Sequence, residues 1–135
     1  IIQTRYPNDE NLKQIKTGDY RLVAERCLKT NKALGLPPYS TVSILRATSP
    51  NSDSCSKFLV KVKNLLTHKK NIDVIGPLPS LPLKVKGNTR NHLIIKSDTR
   101  TYLNRVLKYL TVEIQSWSET KKVKWNYDID PYDMS

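Results

Sequence analysis

Cysteine, histidine and glycine are scarce in this 135-residue chain, which contains two, two and four of them. Cys27 and Cys55 lie far apart and form no Cys-x-x-Cys pair, so the residues of a typical zinc site are missing. No glycine-rich phosphate loop of the Walker or dinucleotide-binding type is present. No apolar run approaches the ~20 residues of a membrane helix, and no signal peptide is recognisable. These absences favour a reduced, cytoplasmic protein segment with no cofactor or metal of its own.

Catalytic motifs are missing as well, including the Gly-x-Ser-x-Gly of serine hydrolases. The acids Asp128, Asp130 and Asp133 are spaced closely enough for a two-metal nuclease. The other acids of the second half of the chain, however, sit in no motif: Asp73, Asp98, Glu113 and Glu119. Capping of the strand end, or pairing with nearby lysines, is therefore the favoured interpretation. We expect His92 to be a partly buried histidine with a satisfied hydrogen bond rather than a general base.

The charge of the chain is strongly basic, with a formal net charge of +11 and an isoelectric point near 9.7. The distribution is uneven, because residues 84–124 carry ten basic and three acidic residues, whereas residues 125–135 carry three aspartates and no base. A concentrated positive charge favours a polyanionic partner. The alternative is that the lysines serve solubility alone.

Hydrophobic periodicity predicts two segments that meet near residue 40. Residues 1–40 are predicted to hold a strand over 1–6 and helices over 8–14 and 20–33, ended by Gly35 and two prolines. Residues 41–135 are predicted to hold strands 41–47, 72–76, 91–97 and 122–129 and helices 52–68 and 98–116, with a Pro-rich loop at 77–87. The order βαββαβ predicts an α+β, ferredoxin-like domain: a four-stranded antiparallel sheet with both helices on one face. Trp125 and Tyr127 alternate with polar residues and are predicted to pack into the core.

The best site candidate is the loop from Lys84 to Arg90, in which three cations surround Gly87. Such a loop can present Lys84, Lys86 and Arg90 to phosphates or carboxylates, although a solvated loop without a ligand remains an alternative. Further cations extend this basic field along the second helix and the last strand: Arg100, Arg105, Lys108, Lys122 and Lys124. Few aromatic residues are interleaved with them, so stacking on single-stranded bases is not expected to dominate.

Four ordered motifs resemble the primosomal protein N′ (PriA) family of bacterial replication-restart helicases. They are the opening Ile-Gln-Thr-x-Tyr-Pro, the linker Leu-Gly-Leu-Pro-Pro-Tyr-Ser at 34–40, the turn Val-Ile-Gly-Pro-Leu-Pro at 74–79 and the closing Lys-Val-Lys-Trp strand that ends at Asp130-Pro131. The resemblance covers nearly the whole chain. Because the chain also lacks an initiating Met, we expect it to be a piece of a longer protein.

The resemblance implies that residues 1–40 close the second helicase lobe and that residues 41–135 form the C-terminal module. It implies a fold like that of a small-subunit ribosomal protein, binding to DNA at abandoned forks, contact with other primosome proteins and a pocket for the acidic tail of single-stranded DNA-binding protein. In the segment that serves this pocket, Arg90 matches a basic position of the family, whereas Asn88 and His92 replace an Arg and a Gln. ATP, magnesium and zinc are expected only in the full-length helicase.

The sequence is compatible with three alternative functions. The first is a DNA- and partner-binding module of the restart helicase, without a catalytic site in these residues. The second is an RNA-binding domain of ribosomal-protein type, which fold and charge fit equally well. The third is a stand-alone enzyme, against which the missing nucleophile and metal clusters argue.

Overall fold

The computed structural model describes residues 2–132, except for the side chains of residues 82–84. The chain divides into a helical unit, Ile1–Tyr39, and an α+β unit, Ser40–Ser135. No helix in the described part of the chain is long and apolar enough to cross a membrane.

The helical unit contains α1, Glu10–Thr17, and α2, Tyr20–Ala33. Each helix begins at an aspartate whose side chain accepts hydrogen bonds from the first free amides, with 2.7 Å from Asn11 N to Asp9 Oδ1 and 3.1 Å from Arg21 N to Asp19 Oδ1. Beyond the end of α2, Gly35 adopts a φ of +57°, a left-handed conformation that closes a helix.

The strand predicted over residues 1–6 is wrong, because the described residues 2–6 form no strand. An apolar and polar alternation becomes a strand only where a neighbouring strand satisfies its amides. The helical unit offers no such neighbour among its described residues, since all four strands belong to the α+β unit.

The α+β unit runs β1 (Thr41–Ser49), α3 (Ser52–Leu66), β2 (Ile72–Val85), β3 (Asn88–Ser97), α4 (Arg100–Gln115), a short 3-10 helix (Ser118–Lys121) and β4 (Lys124–Ile129). Its strands form one sheet in the order β2-β3-β1-β4, and every neighbouring pair is antiparallel. This order confirms the predicted ferredoxin-like arrangement.

The core lies between the sheet and one layer of helices. Both predicted apolar stripes, on α3 and on α4, are buried there against Leu45 and Ala47 of β1 and Leu93 and Ile95 of β3. Burial of one such side chain contributes about 1.5–3 kcal/mol. Cys55 is part of this core, as predicted, with its Sγ 3.3 Å from the carbonyl oxygen of Ala47, and burial raises the pKa of its thiol.

The predicted Pro-rich loop 77–87 is wrong, because most of it belongs to the 14-residue strand β2. Proline is excluded from central strands since it cannot donate to a neighbour, but β2 is at the edge of the sheet and needs to donate on one side only. The strand absorbs the misfit at register shifts between Ile75 and Leu78 and between Pro79 and Lys84. The Lys63 ammonium donates to the carbonyl oxygen of Gly76 at 2.7 Å and supports the first of them.

The last strand begins two residues later than predicted, because the 3-10 helix occupies the preceding turn. Trp125 and Tyr127 pack against the core cluster, and their rings meet edge to face with centroids 5.5 Å apart. The prediction that they pack towards the core is confirmed, with both side chains half-buried. Burial raises the pKa of Tyr127 to about 12.

Candidate nucleic-acid interface

The connection between β2 and β3 is a two-residue turn formed by Lys86 and Gly87. Both residues have positive φ angles, 49° and 79°, as a type I′ hairpin turn requires. Glycine adopts this conformation readily, whereas a lysine in it costs about 1–2 kcal/mol. The turn therefore holds an exposed lysine at the hairpin tip in a backbone conformation that lysine disfavours. The side chain of Lys84, the preceding cation, lies outside the described residues.

The sheet register aligns two further cations at the same end of the sheet. Arg90 of β3 and Lys124 of β4 both pair with Thr48 of β1, one from each side. Neighbouring strands are about 4.8 Å apart, so the two backbones are about 10 Å from one another on the same face of the sheet. Lys122 precedes β4 and is exposed. We call Lys86, Arg90, Lys122 and Lys124 the basic end of the sheet.

Arg100 lies at the opposite end, since α4 begins where β3 finishes. Its guanidinium is 3.2 Å from the Asp130 carboxylate, which follows β4. On the neighbouring strand, Arg46 makes a 2.6 Å ion pair with Asp128. The two acids therefore pair with arginines rather than with the predicted lysines, because antiparallel pairing brings β1 and the start of α4 to the end of β4.

Arg105 and Lys108 project from the exposed side of α4, between buried core positions. Near them, the Lys69 ammonium lies 4.3 Å from the ring centroid of Tyr109, a cation–π contact. The sequence analysis missed this pair, because forty residues separate its members and no local pattern connects them. Arg105 and Lys108 belong to a separate helical surface rather than to the basic end.

His92 is buried, and its Nδ1 is 2.9 Å from the hydroxyl oxygen of Ser80. Burial, and to a lesser extent the nearby Arg46 charge, lower the pKa of the imidazole. The interpretation of His92 as a histidine with a satisfied hydrogen bond is confirmed. Its neighbour Asn91 is also buried and donates to the Ser56 hydroxyl at 3.1 Å. Within residues 89–92, Arg90 is therefore the one residue that is partly exposed, and the other three are buried.

In the described part of the chain, no three His, Cys, Asp or Glu side chains lie close enough together to hold a metal ion. Asp128 and Asp130 are engaged by arginines, and Asp133 lies outside the described part of the chain. Cys27 is exposed, Cys55 is buried in the core, and both are free thiols. The described side chains near the basic end can therefore contact a ligand through positive charge, hydroxyl groups and amide groups.

The model of the family described as the primosomal protein N C-terminal domain matches residues 32–132. The chain belongs to this family. Primosomal relatives match nearly the whole chain: the replication restart protein PriA of Buchnera aphidicola (subspecies Schizaphis graminum) is 32% identical over 137 residues, covering 98% of this chain and 19% of that protein. PriA of Haemophilus influenzae is 25% identical, covering 100% and 18%, and PriA of Bacillus subtilis is 24% identical, covering 99% and 17%. The chain thus spans about a fifth of the length of these primosomal relatives.

Among solved structures, a de novo designed protein, Foldit4, superposes on this primosomal domain with a TM-score of 0.51. The match covers 70% of this chain and 99% of the designed one, at 13% sequence identity. At this identity the likeness concerns the fold alone.

Proposed function

We propose that this chain is the C-terminal DNA- and partner-binding module of an ATP-dependent replication-restart DNA helicase that takes part in primosome assembly. Membership of the primosomal protein N family supports the parent activity. The observation that carries DNA binding is the basic end of the sheet, where Lys86, Arg90, Lys122 and Lys124 gather from the hairpin turn and the starts of β3 and β4.

Contact with DNA is expected to be made through phosphates rather than bases. Lysine and arginine at the basic end can neutralise phosphate charge, which gives affinity without sequence information. Aromatic rings that stack bases are rare among the described residues of this end, since Trp125 and Tyr127 pack against the core. The module should therefore bind forked DNA with little sequence preference and be displaced by salt.

Arg90 is the residue best placed to receive the acidic tail of single-stranded DNA-binding protein. Its planar guanidinium can bind a carboxylate through two parallel hydrogen bonds. His92, which stands where the family has a Gln, is buried against Ser80 and has little surface to offer such a peptide. The tail contact proposed here therefore depends on Arg90 and the neighbouring hairpin turn.

The remaining parts of the function belong to residues outside this chain. We expect ATP hydrolysis, its magnesium ion and the structural zinc to belong to those other residues of the parent helicase. We expect the parent helicase to act in the cytoplasm. The residues described here would supply binding alone. A pure preparation of the chain should accordingly show no DNA-stimulated ATP turnover.

The test is fluorescence anisotropy with a labelled forked oligonucleotide at 50 and 200 mM salt. If the four cations of the basic end each meet a phosphate, affinity should fall roughly a hundredfold over this range. Lys86→Ala combined with Arg90→Ala should weaken binding to the fork and to an acidic tail peptide. Arg26→Ala with Lys29→Ala removes the same charge from exposed positions of α2 and serves as the matched control.

Failure of the unaltered chain to bind the fork at low salt would refute the proposed DNA contact. Equal losses in both double variants would mean that net charge, not the basic end, determines affinity. Preference for a structured RNA of the same length would favour the RNA-binding function of ribosomal-protein type instead.

A further inference from the structure

A cleft lies where β1 ends, α3 begins and the 3-10 helix leads into β4. Its volume is about 570 Å³, within the roughly 300–1,000 Å³ range of sites that hold small ligands. It is lined by residues 48–51, Ser54, Asn88 and residues 120–124. Three of these are lysines and none is an acid, so the lining has a single sign of charge.

The three lysines, Lys121, Lys122 and Lys124, are exposed, and none has a carboxylate of the described residues within ion-pairing distance. The nearest acid in sequence, Glu119, is engaged by Lys61 at 2.8 Å, an interaction that lowers the pKa of its carboxyl. Three like charges in one cleft repel each other. An anion that sits between them would relieve this repulsion.

The walls that carry the lysines are fixed to one another. The hydroxyl of Ser49 donates to the carbonyl oxygen of Lys122 at 3.1 Å and accepts from the Asn51 amide at 3.2 Å. Val123, between two of the lysines, is 2% exposed and packs in the core. The backbone of the cleft is therefore held in place before any ligand arrives, which lowers the entropy lost on binding.

The N-terminus of α3 contributes less than its position suggests. The side-chain oxygen of Asn51 already accepts from the amides of Asp53 and Ser54, at 2.8 and 3.2 Å. These donors are occupied, so the helix does not form an anion site by itself. The positive charge of the cleft comes from the lysines, and the Ser54 hydroxyl and the amide groups of Asn51 and Asn88 can add neutral hydrogen bonds.

We propose that this lysine cleft binds two neighbouring phosphates of a nucleic-acid backbone. Three cations can neutralise the charges of two phosphodiesters, and the volume of about 570 Å³ is large enough for a short stretch of backbone to lie in the cleft. The lining contains no acid that could hold a cation, and its three lysines favour an anionic ligand over a neutral one. In naming DNA as the ligand the inference rests on the proposed function, whereas the phosphate site itself does not.

The experiment compares two triple variants that lose the same charge. In the first, Lys121→Gln, Lys122→Gln and Lys124→Gln remove the cations of the cleft. In the control, Lys29→Gln, Lys57→Gln and Lys70→Gln remove exposed lysines that do not line it. Binding of a labelled duplex is measured across a salt series, with thermal unfolding to confirm that both variants fold. Loss of two phosphate contacts should reduce the slope of log affinity against log salt by about 1.8 in the cleft variant, and by less than half of that in the control.

Pyrophosphate, a soluble pair of linked phosphates, provides a second readout that does not depend on DNA. Nitrogen–proton NMR spectra of the full chain should show shifts confined to the amides of residues 48–54 and 120–124, and the cleft variant should lose them. If these shifts appear but the unaltered chain binds no DNA, the site stands and only the proposed function is wrong. Equal slopes in both variants with no pyrophosphate shifts would overturn the inference, and the proposed DNA contact would then depend on Lys86 and Arg90 alone.

Discussion

Replacing Lys86 by asparagine should stabilise the fold and weaken DNA binding at the same time. Lys86 occupies a left-handed conformation, with φ 49°, as the first of two central residues in a type I′ turn. A left-handed lysine costs about 1–2 kcal/mol, whereas asparagine tolerates this conformation and Asn-Gly is a preferred pair in such turns. We expect Lys86→Asn to recover about half of that cost, roughly 0.5–1 kcal/mol. For a unit of this size the melting temperature should rise by about 2–8 °C.

The matched control is Lys86→Gln, which removes the same charge but keeps the same backbone conflict. Thermal unfolding followed by circular dichroism should show that Lys86→Asn raises the melting temperature of the unaltered chain. Lys86→Gln should not raise it. Both variants should lose the same part of their fork affinity, because both lose one cation at the basic end. Equal melting temperatures for the two variants would show that the turn stores no backbone strain, and the argument for a functional lysine there would fail.

Two further predictions concern β2 and its neighbour. Gly76→Ala should destabilise the fold in urea unfolding by more than backbone strain alone, which costs about 1–3 kcal/mol. The reason is that Gly76 has a φ of +116° and an added Cβ would sit 2.9 Å from the carbonyl oxygen of His92. The control Gly87→Ala should cost only the backbone strain, because φ is +79° and no atom lies within 4 Å of the added carbon. Stability should also fall as the pH drops below about 6.5, since the lowered pKa of His92 means that the unfolded chain takes up the proton first. His92→Gln should flatten this part of the pH profile relative to the exposed control His68→Gln; an unchanged slope would contradict the assignment to His92.

Much of the fold was predictable because its signals are local. The 3.6-residue stripes of α3 and α4 arise from the geometry of a single helix, and Asp9, Asp19 and Gly35 act at helix ends within a few residues. The ferredoxin-like order followed from the sequence of elements. The Pro-rich stretch was misassigned because tolerance of proline depends on whether a strand is at the edge of the sheet, a property of the tertiary structure.

The candidate site was less predictable, since it depends on register. Lys86, Arg90, Lys122 and Lys124 were recognised as basic, but only pairing through Thr48 brings Arg90 and Lys124 into one row. Arg100 was placed in the same field and lies at the other end of the sheet. Lys121 was not singled out, because its role depends on the 3-10 turn that directs it to the cleft.

The prolines of β2 bear on how this protein behaves at high concentration. An outer strand of 14 residues would ordinarily be a template on which a second chain could add itself and begin a fibril. Pro77 and Pro79 have no amide hydrogen to offer, and the two register shifts break the regular ladder that such an addition needs. The hairpin can therefore be long enough to extend a cationic tip while its edge strand is a poorer template for a second chain.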